Sequence, residues 1–341
     1  MTKFASDNIT GACPEVMDAL VAANSGDAIS YGDDEWSIAL QKKLSHLFET
    51  DVLVFPTTSG TVSNALALAA MTPSYGKIYC HKLSHINNDE CGAPEFFTGG
   101  AKLIPLNGEN GKFSANTLED AISGTGQVHS AQPACVTLTQ ACETGTVYTL
   151  DEISDIAATA HAHSMTVHMD GARFANALVN LDKSPAEMTW KSGVDVLSFG
   201  GTKNGCFAAE AIIFFRPELA ATFPFLHKRA GQLLSKMRFV SAQLHAYVSD
   251  DVWLRNARHA NQMATKLSQG LSQVPGIRLA FPTQSNEIFA YMPRAVIDRL
   301  VAAGFGVVEG ELDSNAPPRL VTAWNTEPDD IDRLLSIVVG Q

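Results

Sequence analysis

The chain has 341 residues, 45% of them hydrophobic and 18% charged, a globular composition with apolar mass for about two domains and none of the signature of disorder. Lys and Arg number 24 against 36 Asp and Glu, and the resulting charge of −12 repels phosphate backbones and anionic lipid, so neither nucleic acid nor a membrane is expected as a partner. The longest apolar runs, such as 211–215, fall far short of the roughly 18 residues of a membrane span. The first residues lack the apolar stretch of a secretory leader, and the six cysteines form no C-x-x-C pair and read as reduced thiols, so a cytoplasmic protein is expected.

Asp33 and Asp34 open a helix marked by Trp36, Leu40, Leu44, Leu47 and Phe48 at helical spacing, with acidic residues at its positive end. An apolar strand follows at 52–55. Ser59-Gly60-Thr61 then leads into an Ala/Leu-rich helix over 62–71, whose small side chains suit tight packing on a sheet. Short strands are predicted at 77–80, 102–106, 134–139, 166–169 and 194–199, with helical segments between most of them. The best delimited helix starts at Thr149, where Glu152 completes a capping box before Ile153, Ile156, Ala157 and Ala160. This alternation predicts an α/β fold with a mostly parallel sheet covered on both faces. From about 250 the texture changes: Ala257, Ala260, Ala264, Leu267, Leu271 and Val274 follow one face of a long helix that Pro275-Gly276 ends. A smaller unit follows, with strands at 277–281 and 286–292, a helix over 294–303, strands at 305–309 and 319–324, and a helix over 329–339. The expected division is a large domain over 1–248, with an N-terminal arm of about 1–14, and a small α/β domain over 249–341.

Three loops at strand ends carry the chemistry, since open α/β sheets bind ligands there. The turn Ser59-Gly60-Thr61 places backbone N–H groups and hydroxyls at a helix start, a cradle for one phosphate or simply a capping turn; no Gly-Lys-Ser/Thr follows, which disfavours a magnesium nucleotide. His168-Met-Asp170-Gly-Ala-Arg173 delivers a carboxylate at the tip of a buried strand with a cation just beyond, an arrangement that a plain ion pair would also explain. Ser198-Phe-Gly-Gly-Thr-Lys203-Asn-Gly sets a lysine among glycines, where a ligand can approach the backbone. Together, a lysine amine, a strand-tip carboxylate and an upstream phosphate cradle are what pyridoxal 5′-phosphate requires. His161, His163 and His168 form an H-x-H plus one pattern, but the first two sit at a helix end and the third in a buried strand, so no metal is expected.

With these residues in view, the chain resembles the threonine aldolases of the β-eliminating lyase group, within the aspartate-aminotransferase fold of pyridoxal-phosphate enzymes (fold type I). The resemblance runs over nearly the whole chain and rests on Ser6-Asp7, Tyr31-Gly-Asp-Asp34, Ser59-Gly60-Thr61, His85, His168-Met-Asp170-Gly-Ala-Arg173, Lys203, Lys236-Met-Arg238 and Arg319-Leu-Val-Thr-Ala-Trp324. It implies a large domain with a seven-stranded type of sheet. It implies that Lys203 carries the cofactor, Asp170 pairs with its ring nitrogen, His85 lies over the ring near the substrate hydroxyl, and Ser59, Gly60 and Thr61 hold the phosphate. Arg319, Ser6 and Arg173, the last beside cofactor and substrate alike, would hold the substrate carboxylate, while Tyr31 and Arg238 would complete the site of a neighbouring subunit in a dimer of dimers.

The function so implied is cleavage of L-threonine, L-allo-threonine and other β-hydroxy-α-amino acids to glycine and an aldehyde. Alternatives are a phenylserine aldolase, a β-eliminating lyase on the same scaffold, or a catalytically silent binding or assembly module. One departure from the family pattern stands out: near Thr139-Gln-Ala-Cys-Glu143-Thr-Gly145, some similar enzymes carry a second His that contacts the substrate hydroxyl, and the ungapped match here is Glu143. Loss of that contact is expected to relax discrimination at Cβ, leaving His85 as principal partner unless Gln140 substitutes, with the two threonine isomers within about 1–2 kcal/mol in transition-state energy.

Overall fold

The computed structural model describes residues 3–307 and 317–340. Its main sheet contains β1 (Leu53–Thr57), β2 (Gly76–His81), β3 (Lys102–Leu106), β4 (Gln132–Thr139), β5 (Thr166–Gly171), β6 (Val196–Gly200) and β7 (Glu210–Phe214), in the order β1-β7-β6-β5-β4-β2-β3. The pairs from β6 through β5, β4 and β2 to β3 are parallel, and β7 runs antiparallel between β1 and β6. The fold is therefore α/β with the expected mostly parallel sheet of seven strands. The apolar run at 211–215, not assigned as a strand from sequence, supplies nearly all of β7; it is buried on both sides, so it lacks the alternation that marks a half-exposed strand.

Strand alternation separates two cores. Val136, Leu138, Val167, Met169, Leu197, Phe199 and Ile213 pack on one face with the aromatic rings of Phe48, Phe174, Tyr247 and Trp253. Ile78, Cys80, Cys135, Val196, Ile212 and Phe214 pack on the other against Leu66, Ala67, Leu68 and Met71 from the helix Gly60–Met71. On that second face the side chains turn polar near the strand ends: His168 is held between the hydroxyls of Thr137 (2.8 Å) and Ser198 (2.9 Å), and burial lowers its pKa to about 4. The capping box at Thr149 and Glu152 forms as expected, starting the helix Leu150–Ala162.

The C-terminal region adds a three-stranded antiparallel sheet, β10-β9-β8, from β8 (Arg278–Leu279), β9 (Glu287–Tyr291) and β10 (Arg319–Val321). The long helix Val252–Ser272 reaches from the first core, through Trp253 and Ala257, to this region's own core, through Ala264, Leu267 and Leu271. Two strands are shorter than expected. β10 ends where the Thr326 hydroxyl accepts the Ala323 N–H (2.8 Å) and turns the chain, and Pro275-Gly276 and Pro282 bracket β8. The predicted strand at 305–309 is reduced to a single bridge from Phe305 to Lys3, and its positions 308 and 309 lie outside the described residues.

The C-terminal ends of β5 and β6 approach each other because glycines allow it. A Cβ on Gly200 would lie 2.4 Å from the Ala172 carbonyl oxygen, and one on Gly201 2.5 Å from that of Ala209. The strand tips bearing Asp170 and Lys203 depend on this contact. Gly200→Ala is expected to cost about 1–3 kcal/mol by forcing backbone against backbone; an unchanged midpoint in thermal unfolding would contradict it.

Candidate active site

Asp170, at the buried end of β5, accepts the Ala172 N–H at Oδ1 (3.0 Å) and the Asn64 side-chain amide at Oδ2 (2.9 Å). Asn64 is a polar residue on the otherwise apolar face of the helix Gly60–Met71, and the same amide also donates to Glu90 Oε1 (2.9 Å). That oxygen in turn meets His85 Nδ1 at 2.8 Å, so Asp170, Asn64, Glu90 and His85 form one connected chain. The Glu90 hydrogen bond raises the pKa of His85 above the ordinary imidazole value despite burial, and burial pushes the Glu90 carboxyl up. Neither Asn64 nor Glu90 was singled out from sequence; a lone Asn in an Ala/Leu-rich helix was the available signal.

Lys203 sits in the short 3₁₀ turn Thr202–Asn204 just after β6. Anchors flank it: the buried Glu210 accepts the Gly201 N–H (2.9 Å), and Asn204 donates to the Tyr247 hydroxyl and the Trp253 carbonyl (both 2.8 Å). Among the described residues the Lys203 amine makes no hydrogen bond or ion pair.

Arg173 is buried with two carboxylates. Its Nε and Nη2 grip Asp7 (2.8 and 3.0 Å) and its Nη1 lies 3.1 Å from Glu287. Glu287 also accepts from Arg319 Nη1 (3.3 Å), and Arg319 Nη2 donates to the Ala5 carbonyl (3.2 Å). The cation after Asp170 thus has Asp7 and Glu287 as partners. Burial alone would raise the Asp7 carboxyl, but Arg173 and Lys203, with hydrogen bonds from Arg173 and Asn286, hold it below the usual carboxylate range. Glu287 was missed from sequence, although a glutamate inside an otherwise apolar strand marks a buried charge in need of a partner.

Glu143 lies in the loop after β4. Its Oε1 accepts the His85 backbone N–H (2.9 Å) and the Thr139 hydroxyl (3.0 Å), its Oε2 is buried without a partner among the described residues, and burial raises its pKa to about 7. Gln140 is not available to the site: both ends of its amide are bonded to the Tyr148 backbone (2.9 Å each), which removes the alternative that it replaces a lost hydroxyl contact.

These groups share one cleft. A cavity of about 290 Å³ is lined by Ser6, His85, Glu143, Arg173, Lys203 and Arg319. A smaller one of about 60 Å³ is lined by Gly60, Thr61, Asn64 and Asp170, and again by His85, Glu143, Arg173 and Lys203. Ser59 caps the helix through the Val62 N–H (3.4 Å) and lines neither cavity. Tyr31 and Arg238 are also outside the cleft of their own chain: Tyr31 lies under the Lys228 ammonium (4.5 Å from the ring centre), and Arg238 donates to the Gly26 carbonyl (3.5 Å). His161 and His163 are engaged by Asp195 (3.0 Å) and Glu119 (2.9 Å).

Fold and site together define a class. An aspartate aminotransferase from Rhodobacter sphaeroides superposes with a TM-score of 0.72 at 17% identity, covering 99% of this chain and 90% of that one, which places the chain in the aspartate-aminotransferase fold. The β-eliminating lyase family model matches residues 3–294, and the chain belongs to that family. A low specificity L-threonine aldolase from Pseudomonas aeruginosa is 45% identical over 332 residues, 97% of this chain and 94% of the relative. A threonine aldolase structure from Leishmania major superposes with a TM-score of 0.92 at 28% identity, covering 99% of this chain and 98% of that one.

The His85–Glu90 bond has a titration consequence. A folded-state pKa above the unfolded one makes the contribution of His85 protonation to stability complete below the unfolded imidazole value and lost as pH rises through the folded one. In Glu90→Gln the His85 pKa is expected to fall, as read from the imidazole Cε1–H chemical shift; an unmoved titration would rule out Glu90 as the cause.

Proposed function

We propose that this member of the β-eliminating lyase family is a carbon–carbon lyase of the L-threonine aldolase type, cleaving L-threonine, L-allo-threonine and other β-hydroxy-α-amino acids to glycine and an aldehyde with pyridoxal 5′-phosphate. The observation that carries this is the joining, in one cleft, of an unengaged lysine amine, a buried strand-tip carboxylate and two oriented arginines. The named activity of the Pseudomonas aeruginosa relative supports it.

The donor set fits the cofactor. Lys203 would bind it through its amine, and Asp170, whose oxygens each hold one N–H donor and keep lone pairs to spare, would keep its ring nitrogen protonated. The first turn at Ser59, Gly60 and Thr61 would hold its phosphate, joined by Arg238 of a neighbouring copy, and His85 would cover its ring. When bound, the group supplies an electron sink for the pair left on Cα. The chain's own residues then decide which bond breaks. Arg173 and Arg319, pre-oriented by Asp7 and Glu287, would hold the substrate carboxylate with Ser6 and so fix the orientation of the bonds at Cα, which also selects the L configuration.

We further propose a homotetramer, a dimer of dimers, because Tyr31 and Arg238 are outside their own cleft and Ile29, Ile38, Phe207 and Phe225 are exposed, and we propose that it is cytoplasmic because its cysteines form no C-x-x-C pair and read as reduced thiols. The division near residue 248 remains our proposed domain boundary, just before the helix that links the two cores. Incubation with L-threonine is expected to release glycine and acetaldehyde in equal amounts. Lys203→Ala should lose the cofactor's visible absorbance band and turnover together, and an active yellow variant would refute the assignment. Sedimentation should find the active species no smaller than a dimer; an active monomer would exclude a shared site.

A further inference from the structure

Four residues line both cavities of the cleft: His85, Glu143, Arg173 and Lys203. Three have roles that a cation or an aromatic ring performs. Glu143 is the only anion among them, and neither a carboxylate clamp nor cofactor attachment uses it. Its position is built rather than incidental. The His85 N–H and the Thr139 hydroxyl both hold Oε1, which leaves Oε2 buried and, among the described residues, without a partner, on a side chain that lines the cleft. A buried polar oxygen without a partner in a native site calls for a ligand group to meet it.

His85 is a second acceptor in the cleft besides the carboxylates of Asp89, Asp170 and Glu287, and its Nδ1 is committed to Glu90. That bond raises the His85 pKa and leaves only Nε2 to meet a substrate, as a hydrogen-bond donor while the ring is protonated. A carboxylate in a dry site is a stronger base than one in water, and burial has moved Glu143 in that direction, to about 7. The ionisable groups that line its two cavities with it are His85, Asp89, Asp170, Arg173, Lys203, Glu287 and Arg319, and the buried Cys80, Cys142 and Tyr148 interact with it electrostatically.

We propose that Glu143 is the general base of the cleavage, its Oε2 accepting the proton of the substrate's β-hydroxyl. The inference rests on the aldolase function proposed above. In this step the O–H bond breaks and its proton passes to Glu143. The freed oxygen pair forms the second bond of the aldehyde carbonyl, the Cα–Cβ bond breaks, and its electron pair stays on Cα. Glu143 is then a neutral acid, and it returns to carboxylate by releasing the proton to water once the aldehyde has left. Cα gains a proton in the later step that completes glycine, so protons balance over the cycle. Because Glu143 is needed only when a hydroxyl proton must leave, removing it separates two reactions of the same holoenzyme. Cleavage of L-threonine requires it, whereas exchange of the glycine α-proton with solvent does not.

The test is Glu143→Gln in the holoenzyme. L-threonine cleavage is expected to fall by about 10²–10⁴-fold, while glycine α-proton exchange in deuterium oxide, followed by NMR, stays within about threefold of wild type and the acidic limb of the cleavage pH profile disappears. Infrared difference titration of the cofactor-free chain should show a carboxyl titrating near 7 that the variant lacks. Cleavage retained within about tenfold, or cleavage and exchange falling together, would overturn the proposal. If the variant does not fold, Thr139→Val serves instead: losing the hydroxyl that lowers the Glu143 pKa should move the acidic limb to higher pH, and an unmoved limb would overturn it. Wild-type enzyme that releases no glycine from L-threonine would instead overturn the aldolase function itself, so the two failures are distinguishable.

Discussion

The buried bridge from Asp7 through Arg173 to Glu287 and Arg319 is the interaction on which the site depends, because it ties three separate parts of the chain to one point. Asp7 comes from the N-terminal segment, Arg173 from the loop after β5, and Glu287 and Arg319 from neighbouring strands of the small sheet. Isolated charges at such depth would each cost several kcal/mol; here two cations and two anions compensate one another with hydrogen-bond geometry. Such a bridge adds little net stability compared with apolar packing. Its value is orientation, since the carboxylates fix where the two guanidinium groups lie.

A second polar chain does for the titratable groups what the first does for the clamp. Asp170, Asn64, Glu90 and His85 are linked by hydrogen bonds of 2.8–2.9 Å, so the carboxylate at the tip of β5 and the imidazole across the cleft are set by one connected network. Burial acts unevenly on the acids around it. Glu90 and Glu143 are pushed up, while Asp7, facing Arg173 and Lys203, is held down. The cleft therefore contains carboxylates of different basicity, which is how one site can both hold a charge and move a proton.

The apolar framework makes these polar arrangements possible. Two cores clamp the sheet from both faces, and the aromatic group of Phe48, Phe174, Phe199, Tyr247 and Trp253 packs directly beneath the turn that carries Lys203. Asn204, adjacent to the lysine, is bonded to two members of that group, Tyr247 and Trp253. The turn that carries the lysine is thus a rigid base.

Much of the fold was legible in the sequence because its signals are local. The alternation of strands and helices, the Thr149 capping box and the glycines flanking Lys203 depend on neighbours within a few residues, and so does the strand-tip position of Asp170. β7 escaped because a strand buried on both faces has no alternation to read. What only the tertiary structure decided is the set of partners. Asp7 and Arg173 are 166 positions apart, Asn64 and Asp170 are 106, and the Glu143 carboxylate reaches the His85 backbone across 58. A carboxylate's basicity is set by the dielectric and charges around it, and those come from segments that no local pattern connects. From sequence, Glu143 could be seen only as a departure from a family pattern. Folding places it beside the cleft with one oxygen bonded and the other, among the described residues, buried without a partner, and the role proposed for it rests on that environment.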